Sequence, residues 1–182
     1  MIALEKYAEL LDHAPNCLAL LAAWQRWRGG ALLPSVDQVR PEELGKALNG
    51  LTIMDVHSPD RVIYRLVGNT HVQVFGEDLT GQDVGSVMVK EERNRRLKHL
   101  WDFVTVPCGA AAKMVYVRQS GGKTKTQLLI MPVLPRNSGV PKRLYLSMDV
   151  LDGLTSQPDP IVGPVKLLEG LTYVDIGNGT PQ

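Results

Sequence analysis

His71, in the run NTHVQVF, is the residue with the widest chemical reach: an isolated imidazole there could ligate haem iron, or sit as an ordinary exposed or structural histidine. Cys17 and Cys108 have neither the number nor the spacing of a disulfide framework or a zinc site. There is no GxSxG, HExxH or CxxC, and Asp55, Asp78, Asp83 and Asp149 show no paired-carboxylate spacing. The sequence therefore offers no catalytic set and no metal site, and its residues name no cofactor. RNSGVPK places serine and glycine beside Arg136 without phosphate-loop spacing and reads as a turn. Met54, Met114, Met131 and Met148 fall in β-rich runs, where flexible thioethers line an adaptable pocket or fill a core.

Two basic-aromatic groups suggest nucleic acid at first sight. Lys90, Arg93, Arg95, Arg96 and Lys98 precede Trp101, and Arg26 and Arg28 neighbour Trp24 and Trp27. Glu91, Glu92 and Asp102 dilute the first group, and no binding motif accompanies either. A solvated helix face is the better reading. The global field agrees: 20 basic and 19 acidic residues give a net charge of +1, which favours neither a polyanion nor a membrane surface. The 182 residues suit one core domain with accessory structure, and 44% apolar with 21% charged residues is a globular balance. The start MIALEKYAELLDHAP carries Glu5, Glu9 and Asp12 through its apolar positions, unlike a signal sequence, and no apolar run is long enough to span a bilayer. A cytoplasmic protein is expected.

Secondary structure must position whatever chemistry these residues have. Leu4, Tyr7, Ala8 and Leu11 recur at helical spacing up to Pro15, and Leu20, Leu21, Trp24 and Trp27 form a second apolar stripe stopped by Gly29 and Gly30. LTIMDV and RVIYRLV read as an antiparallel pair across HSPD. NTHVQVF is a helix too short to stand alone, closed by Gly76, and EDLTG turns at Gly81. The range 90–104 is the longest helix, with Leu97, Leu100, Trp101 and Val104 on one face. The ranges 110–119 and 123–134 form a hairpin through SGGK, which pairs Met114 and Tyr116 with the face of Gln127 and Leu129. RLYLSMDV alternates cleanly and predicts a half-buried strand. DGLTSQPDPIVGPVK reads as a linker before a terminal strand in LTYVDIGNG. Strands split by a helical block make an α+β fold.

The run IYRLVGNTHVQVFGEDLTGQDV resembles the second strand, short helix and glycine-bounded turn of a PAS domain, with Gly76 and Gly81 matching the family's two glycines. WQRWRGGALLPSVDQVRPEELG and VDIGNG are similar to the flanks of bacterial single-domain PAS proteins, many from alphaproteobacteria. The resemblance implies an antiparallel sheet with helices on one face and N-terminal flanking helices. The expected division is a helical extension over 1–48, a PAS-like core over 49–151, and a linker with a terminal strand over 152–182. It also implies a ligand pocket. Val62, Tyr64 and Leu66 would alternate inward toward His71 and Phe75, while the long helix brings Leu97 and Trp101 over Met114, Tyr116 and Leu129. Such a pocket suits an uncharged or weakly polar small molecule. A photoactive flavin would need a cysteine where Val72, Gln73 and Val74 stand. Leu20, Trp24 and Trp27 are the expected contacts of a homodimer. The functional expectation is a non-enzymatic sensory module that binds a small ligand or protein and signals to a partner in trans. The alternative is a ligand-free interaction module whose pocket is filled by its own side chains.

Overall fold

Alternating β-branched and apolar residues build six strands: β1 (Leu51–Ser58), β2 (Arg61–Leu66), β3 (Gly109–Val117), β4 (Lys123–Val133), β5 (Lys142–Asp152) and β6 (Lys166–Val174). They form one sheet in the order β2–β1–β5–β4–β3–β6, and every pairing between these strands is antiparallel. The computed structural model describes residues 5–11, 13–88, 90–138, 141–154, 159, 161 and 166–181. Most of the expected linker after Asp152 lies outside them. The terminal strand is present as β6, hydrogen-bonded along β3.

Both faces of the sheet are covered. Helices α3 (Asn69–Phe75) and α4 (Lys90–Thr105) lie over the face that carries Met54, Tyr64, Met114 and Leu146. On the other face, α2 (Pro15–Arg28) and the short 3-10 turns of Pro41–Gly50 cover Leu129, Met131 and Tyr145; the brief α1 (Glu5–Leu10) precedes α2. The strand RLYLSMDV is consequently buried on both sides, with Tyr145, Ser147 and Asp149 under the N-terminal helices. Clean alternation suggested a solvent face, but the polar residues of that face serve as anchors. Asp149 accepts hydrogen bonds from the Asn16 and Cys17 amides at 3.0 and 2.9 Å, so a sheet carboxylate caps the N-terminus of α2. Asp149→Ala is expected to cost about 2 kcal/mol, since it leaves helix amides unpaired in a buried site. Urea unfolding with an unchanged slope is the check.

The same layer holds Trp24, which is fully buried, and its indole N–H donates to the Pro132 carbonyl at 2.8 Å. Leu20 is 1% and Trp27 4% exposed, and the Trp27 ring packs edge-on against Tyr145. The expected dimer contacts Leu20, Trp24 and Trp27 are therefore core residues of one chain. The apolar stripe is covered by the protein's own sheet.

Two register details correct the expected pocket. Met54 pairs with Tyr64 but Ile53 pairs with Leu66, so Arg65 is an extra residue in the edge strand. A bulge inverts the alternation beyond it, and Leu66 is 45% exposed rather than inward. In the β3–β4 hairpin the turn is wider than the two glycines of SGGK, closing with the Arg118 amide on the Gly122 carbonyl. Met114 then pairs with Thr126 and Ala112 with Leu128, an odd shift from the simple hairpin. Leu129 and Gln127 consequently face the N-terminal helices, away from Met114 and Tyr116.

Candidate ligand cavity

Between the sheet and the helices α3 and α4 lies a cavity of about 390 Å³. Its floor includes Ala110 and Ala112 on β3, where a larger strand residue would fill the space. Leu128, Ile130 and Leu146 continue the floor, and Leu79, Val84, Val87 and Met88 close one side. The roof is a stripe of α4 formed by Glu92, Arg96, His99, Leu100 and Phe103. These positions follow helical periodicity, and the stripe grades from charged at the helix start to apolar at its end.

The glycine-bounded segment builds the end wall. Gly68 begins α3 where a Cβ would come within 2.4 Å of the Leu51 carbonyl oxygen, so only glycine lets the helix approach β1 this closely. Gly76 ends α3 at φ +85°, a left-handed position, with its amide on the Val72 carbonyl. The chain then returns along β2: the Gly81 amide donates to the Tyr64 carbonyl at 2.7 Å, and the Tyr64 amide donates to the Gln82 carbonyl at 3.0 Å. Tyr64 is thereby fixed from its outer edge, with its ring in the cavity.

His71 is buried, stacks on Phe75 at 6.1 Å between centroids, and places Nδ1 3.0 Å from the Thr52 hydroxyl. That hydroxyl already accepts the Gly68 amide at 3.1 Å. Two arrangements satisfy this contact: with Thr52 donating to Nδ1 the imidazole proton sits on Nε2, and with Nδ1 donating to Thr52 the hydroxyl proton is the one that meets no acceptor among the described residues. Burial lowers the His71 pKa to about 3, which keeps the ring neutral at physiological pH. Burial raises the phenols of Tyr64 and Tyr116, the latter to about 12, against a smaller opposing pull from the Arg96 guanidinium. Arg96 is held by Glu92, with Nε and Nη2 at 2.9 and 2.6 Å from one carboxylate oxygen. Glu92 also takes Arg95 at 3.1 Å, so at this end of α4 one carboxylate is shared by two guanidinium groups. The thiols are poor nucleophiles: burial and neighbouring Asp149 push Cys17 up, and burial pushes Cys108 up to about 12.

Of the expected pocket residues, Tyr64, His71, Phe75, Met114 and Tyr116 come together around the cavity. Leu97 is buried in the same core but stands behind the lining. Trp101 also lies off the lining, half-buried with the Lys142 ammonium 5.8 Å from its ring. Leu66 and Leu129 point elsewhere for the reasons of register above. Arg96, His99, Phe103, Ala110 and Ala112 were not expected there. For the α4 residues the signal was the spacing 92–96–99–103, which starts in the charged run that read as a solvated face.

An antiparallel sheet of this order, with a short and a long helix enclosing an apolar cavity on one face, defines a PAS-type fold. The chain belongs to the PAS domain family: the family's model matches residues 12–146. Among solved structures, it is similar to the light state of the blue-light photoreceptor Aureochrome1 LOV, at 13% identity over 61% of this chain and 88% of that one, with a TM-score of 0.40. It is also similar to the PAS domain of an HTR-like protein from Haloarcula marismortui, at 12% identity over 81% and 99% of the two chains, with a TM-score of 0.36. A search of curated proteins finds no match. No helix among the described residues is long and apolar enough to cross a membrane.

Proposed function

We propose that this PAS domain is a sensory module that holds a small, mostly apolar molecule in its internal cavity and passes the change in packing to a protein partner in trans. The observation that carries the reading is the cavity itself: about 390 Å³ left open by Ala110 and Ala112 inside an otherwise close-packed core. A ligand there touches the sheet, α3 and α4 at once, so binding changes how those elements pack. A second copy of the chain is one candidate partner, and sedimentation at micromolar concentration tests it. Its contacts must lie outside the buried stripe of Leu20, Trp24 and Trp27.

Met114→Trp tests the cavity. The added ring projects from β3 into the space and should weaken binding of any small molecule found by thermal-shift screening by roughly tenfold or more, with the fold retained. Native mass spectrometry of the purified protein reports a molecule already bound. Equal stabilisation of both proteins by the same compounds, or no stabilisation of either, turns the choice to a ligand-free interaction module.

A further inference from the structure

Three polar side chains surround one end of the cavity, and the sheet places them side by side. Thr52 and Met54 are neighbours on the inner face of β1: His71 hydrogen-bonds the first, and Tyr64 pairs across from the second. Phe75 stacks on His71 and meets Tyr116 edge-on at 5.5 Å, which continues the wall to β3. Tyr64 and Tyr116 both line this cavity, and Tyr116 bears on the ionisation of Tyr64. Tyr64, His71 and Tyr116 are 7%, 3% and 3% exposed. The Tyr64 hydroxyl and His71 Nε2 make no hydrogen bond to any described residue.

Resting on the reading of this cavity as a ligand site, we propose that Tyr64, His71 and Tyr116 form a donor cluster that grips the carbonyl oxygen of an uncharged, otherwise apolar ligand. Each can present a proton: Tyr64 from its hydroxyl, Tyr116 from a hydroxyl that has the Thr126 side chain beside it, and His71 from Nε2 in the tautomer in which Thr52 donates to Nδ1. A carbonyl oxygen has two lone pairs, enough for two of these three donors at once. A buried donor without a partner is costly, so a ligand that supplies the acceptor gains over one of equal shape that does not. A cationic ligand has no buried carboxylate to meet here, since Glu77 is exposed and Glu92 is engaged by Arg95 and Arg96. A carboxylate ligand meets Arg95 and Arg96 only in competition with Glu92, which already binds both. The remaining walls are alkyl and aromatic, which suits a hydrophobic body.

Three probes of one shape separate the possibilities: 4-acetylbiphenyl, 4-isopropylbiphenyl and biphenyl-4-carboxylate. The ketone should bind roughly tenfold more tightly than the hydrocarbon, with its infrared carbonyl band shifted to lower frequency than in hexane. Tyr64→Phe and Tyr116→Phe keep the ring packing; each should weaken the ketone several-fold, move the band back and leave the hydrocarbon unchanged. Equal binding of ketone and hydrocarbon with an unshifted band overturns the donor cluster while leaving the ligand cavity in place. Tightest binding by the carboxylate overturns it in favour of an anion site at Arg96. No binding by any probe up to its solubility limit overturns both the cluster and the cavity reading.

Discussion

Trp24→Ala is expected to lower the unfolding free energy by about 4 kcal/mol, the range for removing a large aromatic from a packed core. The loss should be the same at every protein concentration. Trp24 is fully enclosed between α2 and the sheet, and its indole N–H is paired with the Pro132 carbonyl, so the substitution removes contacts within one chain and leaves that carbonyl short of a donor. A role at a subunit interface would instead make the cost depend on concentration, because dissociation would then be coupled to unfolding. Chemical denaturation at two concentrations a hundredfold apart, a ratio wide enough to expose such mass action, decides between them.

The second large effect concerns acid. The His71 pKa falls from an ordinary 6.5 to about 3 on folding, because burial opposes the charged ring. Above pH 6.5 both the folded and unfolded forms are neutral there, and the contribution of a neutral His71 is fully present. As pH falls below 6.5 the unfolded chain takes up a proton that the folded protein refuses, so stability is lost down to about pH 3. The slope is about 1.4 kcal/mol per pH unit, or about 3 kcal/mol between pH 7.5 and 4.5. His71→Gln should flatten that part of the curve relative to the wild type, even though it is less stable at neutral pH. Carboxylates common to both proteins cancel in the difference. Parallel stability curves for the two proteins would show that His71 is accessible to protons in the folded state.

The fold was legible where local signals agreed. The glycines after α3, the long apolar-faced helix and the β-rich runs all specify the same PAS-type order, and the resemblance of 63–84 rests on the second strand and those glycines. The floor of the cavity was less legible because sheet faces depend on register, which sequence constrains only weakly. One unpaired residue at Arg65 turned Leu66 outward, and a wider turn around Gly121 and Gly122 exchanged Leu129 for Leu128. On α4 the difficulty was of another kind. Glu92 and Arg96 hold each other, which lets a charged stripe line a cavity, and composition alone assigns such a stripe to solvent. Trp24 and Trp27 were misplaced because nothing local shows that the second face of the sheet is covered. That information lies in Asp149, whose carboxylate reaches the start of α2 from far along the chain.

Ligand sensing by this domain requires an interior space that admits a neutral apolar molecule, and titration with the fluorescent amine N-phenyl-1-naphthylamine measures that directly. The wild type should give a saturable fluorescence increase with one site per chain, and Met114→Trp should abolish it while the far-ultraviolet circular dichroism stays unchanged. Absence of saturable binding to the wild type, or the same binding by both proteins, would contradict a ligand site in this cavity.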